Sequence, residues 1–241
     1  MYLGIDLGTS GVKALLIDDA QSVVGSATAP LAVSRPHPGW SEQDPADWIA
    51  ATETAVEVLH ARHGAALAAV KGIGLSGQMH GATLIDAAGR PLRPCVLRND
   101  TRSHAEAAPK LVWVRAHEPE VFAATAKVLL PKDYLRLWLT GESVGEMSDA
   151  AGTSWLDTGA RAWSPELLDA SFMRADQMPT LVEGSDPSGT LRPELAARWG
   201  MKSSVVVAGG AGDNAASAVG VGAVEAGSAF VSLGTSGVLF A

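Results

Sequence analysis

Gly4-Ile5-Asp6-Leu7-Gly8-Thr9-Ser10-Gly11-Val12, near the start of the chain, returns near its end as Val231-Ser232-Leu233-Gly234-Thr235-Ser236-Gly237-Val238. Each copy is an apolar run, a Leu-Gly-Thr-Ser-Gly turn and a second apolar run, the pattern of a β-hairpin. Glycines let backbone approach a ligand and leave N–H groups open, and the Thr and Ser hydroxyls add donors, so either turn can hold phosphate oxygens. Taken singly, such a turn reads equally well as an ordinary tight hairpin. Two identical five-residue turns in one chain favour a shared task, and the pair could clamp one nucleotide.

Outward from the first copy, 2–7 and 12–17 read as the hairpin strands and 23–29 as a third. Pro36, Pro38, Gly39 and Trp40 make 34–44 an irregular loop. Asp44 then fits an N-cap with Pro45 at the first helical position, and Trp48, Ile49, Thr52, Val56 and Leu59 recur at helical spacing, which predicts a helix over 45–62. A buried strand at 70–75 runs into the polar, glycine-flanked segment Ser76-Gly77-Gln78-Met79-His80-Gly81, and another strand follows at 82–85. The middle reads as helices at 110–117, 119–128, 132–140, 165–170 and 193–199, none with an obvious reactive cluster. A short strand at 205–207 leads into Gly209-Gly210-Ala211-Gly212-Asp213-Asn214 and a small-residue helix at 215–221.

Composition excludes several classes. The chain has 241 residues, 47% of them hydrophobic, enough for one large domain or two modest ones. No apolar run is long enough to span a bilayer, and the N-terminus has no basic region ahead of an apolar one, so the expected location is cytoplasmic. A single cysteine, Cys95, rules out an internal disulfide framework and a thiolate cluster for a metal. A net charge of −8 argues against a nucleic-acid footprint. The expected partner is small.

These motifs together resemble the FGGY family of carbohydrate kinases, which includes xylulokinase, glycerol kinase and gluconokinase, and within it the xylulokinase branch most closely. The resemblance implies an α/β, ribonuclease H-like fold of the actin, hexokinase and Hsp70 superfold, an N-terminal domain with a mixed central sheet and flanking helices. It implies that 1–227 form the sugar-binding kinase domain, that 228–241 begin the C-terminal nucleotide-binding domain, and that the remainder of that domain is absent. It implies ATP and Mg²⁺, with Asp6 near the metal and Gly8, Thr9, Ser10, Gly234, Thr235 and Ser236 at the phosphates. The expected partners are a sugar and ATP, without nucleic acid or membrane; a homodimer is left open.

Within that frame Asp213 is the candidate general base, since a sugar hydroxyl needs a carboxylate to accept its proton as it attacks phosphorus. The same aspartate also suits an N-cap for the helix behind it, and the two roles are compatible. Ala211 departs from the family's Gly-Gly-Asp-Asn pattern, and the glycines are expected to leave space for substrate. Gln78, Met79 and His80 resemble the sugar-contact loop, with Asn214 and, in a second tier, Asp100 as further sugar contacts. Trp40, Glu42 and Gln43 are expected to shape the cleft, and Arg98 sits where an aromatic is commoner. His60 and His63 read as surface residues. The passage from Arg102 to Pro109 is shorter than in the family, where an additional helix and loop intervene. The leading expectation is phosphorylation of D-xylulose at its 5-hydroxyl. The alternatives are another sugar of the family such as gluconate, ribulose or glycerol, a non-catalytic sugar-binding fragment, or an actin-like assembly module.

Overall fold

The computed structural model describes residues 1–233 and 237–240. Its central sheet is mixed and seven-stranded, in the order Pro187–Thr190, Val206–Ala208, Gly72–Gly77, Tyr2–Leu7, Gly11–Ile17 and Val23–Pro30. The seventh strand, Ala211–Gly212, pairs with Gly72–Gly77 further along than Val206–Ala208 does. The first three strands form the expected antiparallel meander, and Tyr2–Leu7 runs parallel to Gly72–Gly77. The α/β class and the mixed sheet read from the sequence are both found.

Strand alternation decides the layers. Leu3, Ile5, Leu7, Val12, Ala14 and Leu16 point to one face and are buried with Trp48, Ala55, Val56 and Leu59 of the helix Pro45–Ala68. Asp44 caps that helix, accepting the Ala46 N–H at 2.9 Å, with Pro45 behind it. The helix runs beyond the expected end at 62, with a kink at His63 (φ −136°). The opposite sheet face is left to Gly4, Asp6, Lys13 and Ser76, and these line a cavity of about 1030 Å³. A second core gathers Leu84, Leu111, Val114, Val128 and Trp155. Cys95 is buried, and burial pushes its thiol up to about 12.

Two expectations are corrected. The helix expected over 119–128 is the helix Pro119–Ala124 followed by the strand Lys127–Leu129, which pairs antiparallel with Thr83–Ile85. The buried Val128 and Leu129 pack as strand residues, so tertiary pairing overrides the local helical pattern. The helix expected at 215–221 begins at Asp213, so its N-cap is Gly212, and the reading of Asp213 as an N-cap does not hold.

Candidate functional site

The first hairpin turn closes through Gly8 N–H to Gly11 O at 3.0 Å. Gly11 is required by a close approach, because a Cβ there would lie 2.7 Å from Ala29 O. Register places Asp6 between Lys13 and Ser76 on neighbouring strands. Ser76 Oγ donates to Asp6 Oδ1 at 2.6 Å, and Asp6 Oδ2 accepts no hydrogen bond among the described residues. Thr9 turns its hydroxyl inward to Gln78 Oε1 at 3.1 Å, so the turn's outward donors are backbone amides and Ser10, which is exposed. Gly234, Thr235 and Ser236 lie outside the described residues. The strands either side of them, Phe230–Leu233 and Gly237–Phe240, pair antiparallel.

Asp213 begins the helix Asp213–Val221, directly after the short strand that lengthens the sheet beside Ser76 and Gly77. Its Oδ1 accepts the Asn214 N–H at 2.7 Å, and its Oδ2 accepts none among the described residues. Burial raises the Asp213 carboxyl above the usual carboxylate range; the Asn214 N–H and the Arg98 guanidinium oppose that rise and Asp6 adds to it. The preceding glycines are required by backbone packing, and Gly210 also lines the cavity beside Asp6. Gly210 has φ +75°, and a Cβ there would collide with Leu75 O, while one on Gly209 would collide with Glu183 O. Ala211 continues the strand opposite Ser76, so the departure from the family pattern does not break the loop.

Met79 and His80 reach the same place from the end of the strand Gly72–Gly77. A Cβ on Gly212 would lie 3.0 Å from Met79, whose Sδ is 4.0 Å from Asn214 Nδ2. His80 has φ +70°, and its ring lies where a Cβ on Gly152 would be 2.6 Å from Nε2. Burial pushes its imidazole down to about 4, helped by Arg98 and Lys110, so the ring is neutral at neutral pH. Its buried Nδ1 has no partner among the described residues.

Gln78 and Asp100 sit differently from what was expected of sugar contacts. Gln78 is buried, donating to Gln43 Oε1 at 2.9 Å while its own oxygen accepts from Thr9. Gln43 is the hub, donating also to Thr9 O and Ala32 O and accepting from Trp48 Nε1. Gln78 therefore couples the first hairpin turn to Gln43 and, through it, to Trp48 of the helix Pro45–Ala68. Asp100 accepts the Ser41 N–H at 2.6 Å and three N–H groups of Arg102 at 2.7–2.9 Å, so it clamps two loops together. Burial works against its ionisation, but the Arg102 and Ser41 donors hold its carboxyl below the usual range. Arg102 lies over the Trp40 ring at 3.5 Å and pairs with Glu42 at 2.8 Å, which also pairs with Arg93. Trp40 and Glu42 are thus tied to Arg102, and Gln43 to Gln78.

Other charged residues were given no role in the sequence reading. Lys13 stands beside Asp6 in the cavity, a position that strand alternation alone could have given. Arg98, exposed, acts on both Asp213 and His80. Lys132 is fully buried among Asp133 (2.8 Å), Glu146 (3.4 Å) and Asp149 (3.6 Å), a buried ionic cluster in the middle of the chain. Arg136 joins it through Asp133 and donates to Ala208 O and Gly209 O, at the root of the loop carrying Asp213. No group of three or more His, Cys, Asp or Glu suited to a metal occurs among the described residues.

The FGGY family of carbohydrate kinases, N-terminal domain, matches residues 1–108 and 104–220. The curated xylulose kinase of Klebsiella pneumoniae is 53% identical over 264 residues, covering 100% of this chain and 54% of the relative. The crystal structure of a xyloylose kinase from Brucella ovis is 63% identical with a TM-score of 0.96, over 99% of this chain and 54% of that one. Plasmodium falciparum glycerol kinase with ADP, 19% identical, superposes with a TM-score of 0.89 over 99% of this chain and 53% of its own, and shows the shared fold alone. The chain spans about half the length of the curated relatives it matches. The two family matches overlap at 104–108, and the alignment to the Klebsiella pneumoniae relative is longer than the chain.

Proposed function

This chain belongs to the FGGY family of carbohydrate kinases, and on that premise we propose that it serves the transfer of phosphate from ATP to a ketopentose, D-xylulose at its 5-hydroxyl. The observation that carries the proposal is Asp213. It is a half-buried carboxylate with one oxygen unengaged among the described residues, next to Asn214, whose Nδ2 meets Met79 Sδ, and the Arg98 cation acts on it and on the neutral His80 alike. A carboxylate whose affinity for protons is raised by burial is a better base, and it can take the hydroxyl proton as the oxygen attacks the γ-phosphorus. Met79 offers an apolar contact to the carbon chain, while Asn214 and the uncharged His80 both donate and accept, which suits hydroxyls. Gln78 and Asp100 act on the sugar through the walls they hold.

The backbone amides of the first turn, with Gly234, Thr235 and Ser236 of the second, would hold the polyphosphate, and Lys13 would add a cation. Asp6 fits Mg²⁺, which usually takes one or two carboxylates with water and phosphate oxygens, because its Oδ2 is unengaged at the strand end. When bound, that ion would neutralise charge on the phosphates. In this reading 1–227 form the sugar-binding domain and 228–241 open the nucleotide-binding one, and the protein works in the cytoplasm. No described helix is long and apolar enough to cross a membrane.

The test is an ATP-coupled assay with D-xylulose, gluconate, D-ribulose and glycerol, beside calorimetric titration of each sugar. Turnover fastest on D-xylulose and abolished in Asp213→Ala supports the proposal. Turnover unchanged in that variant removes Asp213 as the base. D-xylulose binding without turnover selects the second reading, a sugar-binding chain without catalysis.

A further inference from the structure

The Asp213 carboxylate needs a fixed direction, yet the helix it begins has no side-chain cap. What holds the peptide in front of it is Ser148. The Gly212 N–H donates to Ser148 Oγ at 3.2 Å. A hydroxyl has one proton to give, and Ser148 gives it to Glu146 Oε1 at 3.1 Å. Glu146 cannot swing away: it is buried, Oε2 accepts the Ser148 N–H at 2.7 Å, Oε1 accepts the Asp149 N–H at 3.0 Å, and Lys132 Nζ stands 3.4 Å from Oε1. A continuous chain therefore runs from the fully buried ammonium, through a saturated carboxylate and a hydroxyl, to the amide one residue before Asp213.

Gly212 is held from its other sides as well. It pairs with Gly77 in the sheet, and Met79 fills the space where its side chain would be. Ser148 is thus the polar third support of a peptide otherwise fixed by packing. Its direct hydrogen bond runs to backbone, and its charged neighbour is already neutralised, so it has no proton to exchange with substrate.

We propose that Ser148 is a positioning residue for Asp213, anchoring the start of its helix to the Lys132–Glu146 pair; this rests on the kinase reading of the same site. The experiment compares wild type with Ser148→Ala and Ser148→Thr in the ATP-coupled assay, in thermal melts, and by amide hydrogen exchange at Gly212. Losing one hydrogen bond is expected to lower kcat about three- to tenfold. The KM values for D-xylulose and ATP should stay within about twofold, the melting temperature should be unchanged, Gly212 exchange should be faster, and Ser148→Thr should regain most of kcat. A raised KM for ATP at constant kcat would mean that Ser148 touches phosphate directly, and it overturns the proposal. Loss of stability that accounts for the loss of turnover overturns it too. If wild type turns over no sugar, the kinase reading fails separately, and exchange still decides: a Gly212 amide equally protected in Ser148→Ala ends the idea.

Discussion

Replacing Lys132 by methionine removes the one ammonium that Asp133, Glu146 and Asp149 share at 2.8, 3.4 and 3.6 Å. Three buried carboxylates then face only Arg136, which reaches Asp133 at 3.3 Å. Breaking a buried ion pair from one side costs about 3–5 kcal/mol, because the remaining charge stays desolvated. With a urea slope of about 3 kcal/mol/M, the midpoint should fall by about 1 to 1.7 M. The pH dependence gives a second handle. Burial raises the Asp149 carboxyl well above its ordinary value, with Lys132 opposing and Asp133, Glu146 and Asp213 reinforcing. A carboxyl raised on folding is protonated more readily in the fold than in the unfolded chain, so it costs stability as pH climbs through its folded value. Without Lys132 that cost grows, and the deficit of Lys132→Met should shrink on going from pH 7.5 to pH 5. Adding Asp149→Asn should recover part of it at pH 7.5, since two contacting charges do not act additively. Urea unfolding of the three proteins at both pH values is the assay. A single variant within about 1 kcal/mol of wild type at pH 7.5, or a deficit that widens at pH 5, would refute the reasoning.

Arg98→Gln removes a cation that lowers both His80 and Asp213, so the His80 imidazole should titrate above its present value of about 4 and Asp213 should rise further. Imidazole proton shifts against pH check this, and an unmoved His80 contradicts it. Asp100→Asn loses charge-assisted bonds to Arg102 and Ser41 and should cost about 2 kcal/mol. Because Asp100 is lowered on folding, its contribution is present above its unfolded value and lost as pH falls through the folded one. The variant should therefore lie closer to wild type in acid than at pH 7, read by thermal melts. Gly210→Ala puts a methyl against Leu75 O at a φ of +75° and should lose more than about 2 kcal/mol, seen as a lower yield of soluble protein.

The first two strands of the sheet were legible because alternation at Leu3-Ile5-Leu7 and Val12-Ala14-Leu16 is a local signal, and the Asp44-Pro45 cap marks the first helix in two residues. The strand Lys127–Leu129 was not, because its partner Thr83–Ile85 lies some forty residues away and three residues carry no period. Glu42–Gln43 with Cys95–Val96 and Val144–Glu146 with Thr180–Val182 went unread for the same reason. In the candidate site, Met79 meets Asn214 and the Gly212 backbone in front of Asp213, and it shares Gly152 as a neighbour with His80. Gln78 and Asp100 show the limit of motif reading: residue type proclaims hydrogen-bonding capacity, but the sequence does not say which neighbours consume it. Lys132 among three carboxylates was invisible because Glu146 and Asp149 come from another turn of chain.

That last failure bears on how the site is built. A surface carboxylate could be placed by its own helix cap, but the half-buried Asp213 follows Gly212, which gives its helix no side-chain cap. Its direction must therefore come from groups outside its own helix. Lys132, Glu146 and Arg136 are buried, and they reach the loop from two sides: Arg136 holds the carbonyls of Ala208 and Gly209, and Ser148 holds the amide of Gly212. The ionic cluster is costly to bury and of doubtful benefit to stability on its own. Its geometry makes sense as a fixed mount for the segment 208–212, which leads directly into Asp213.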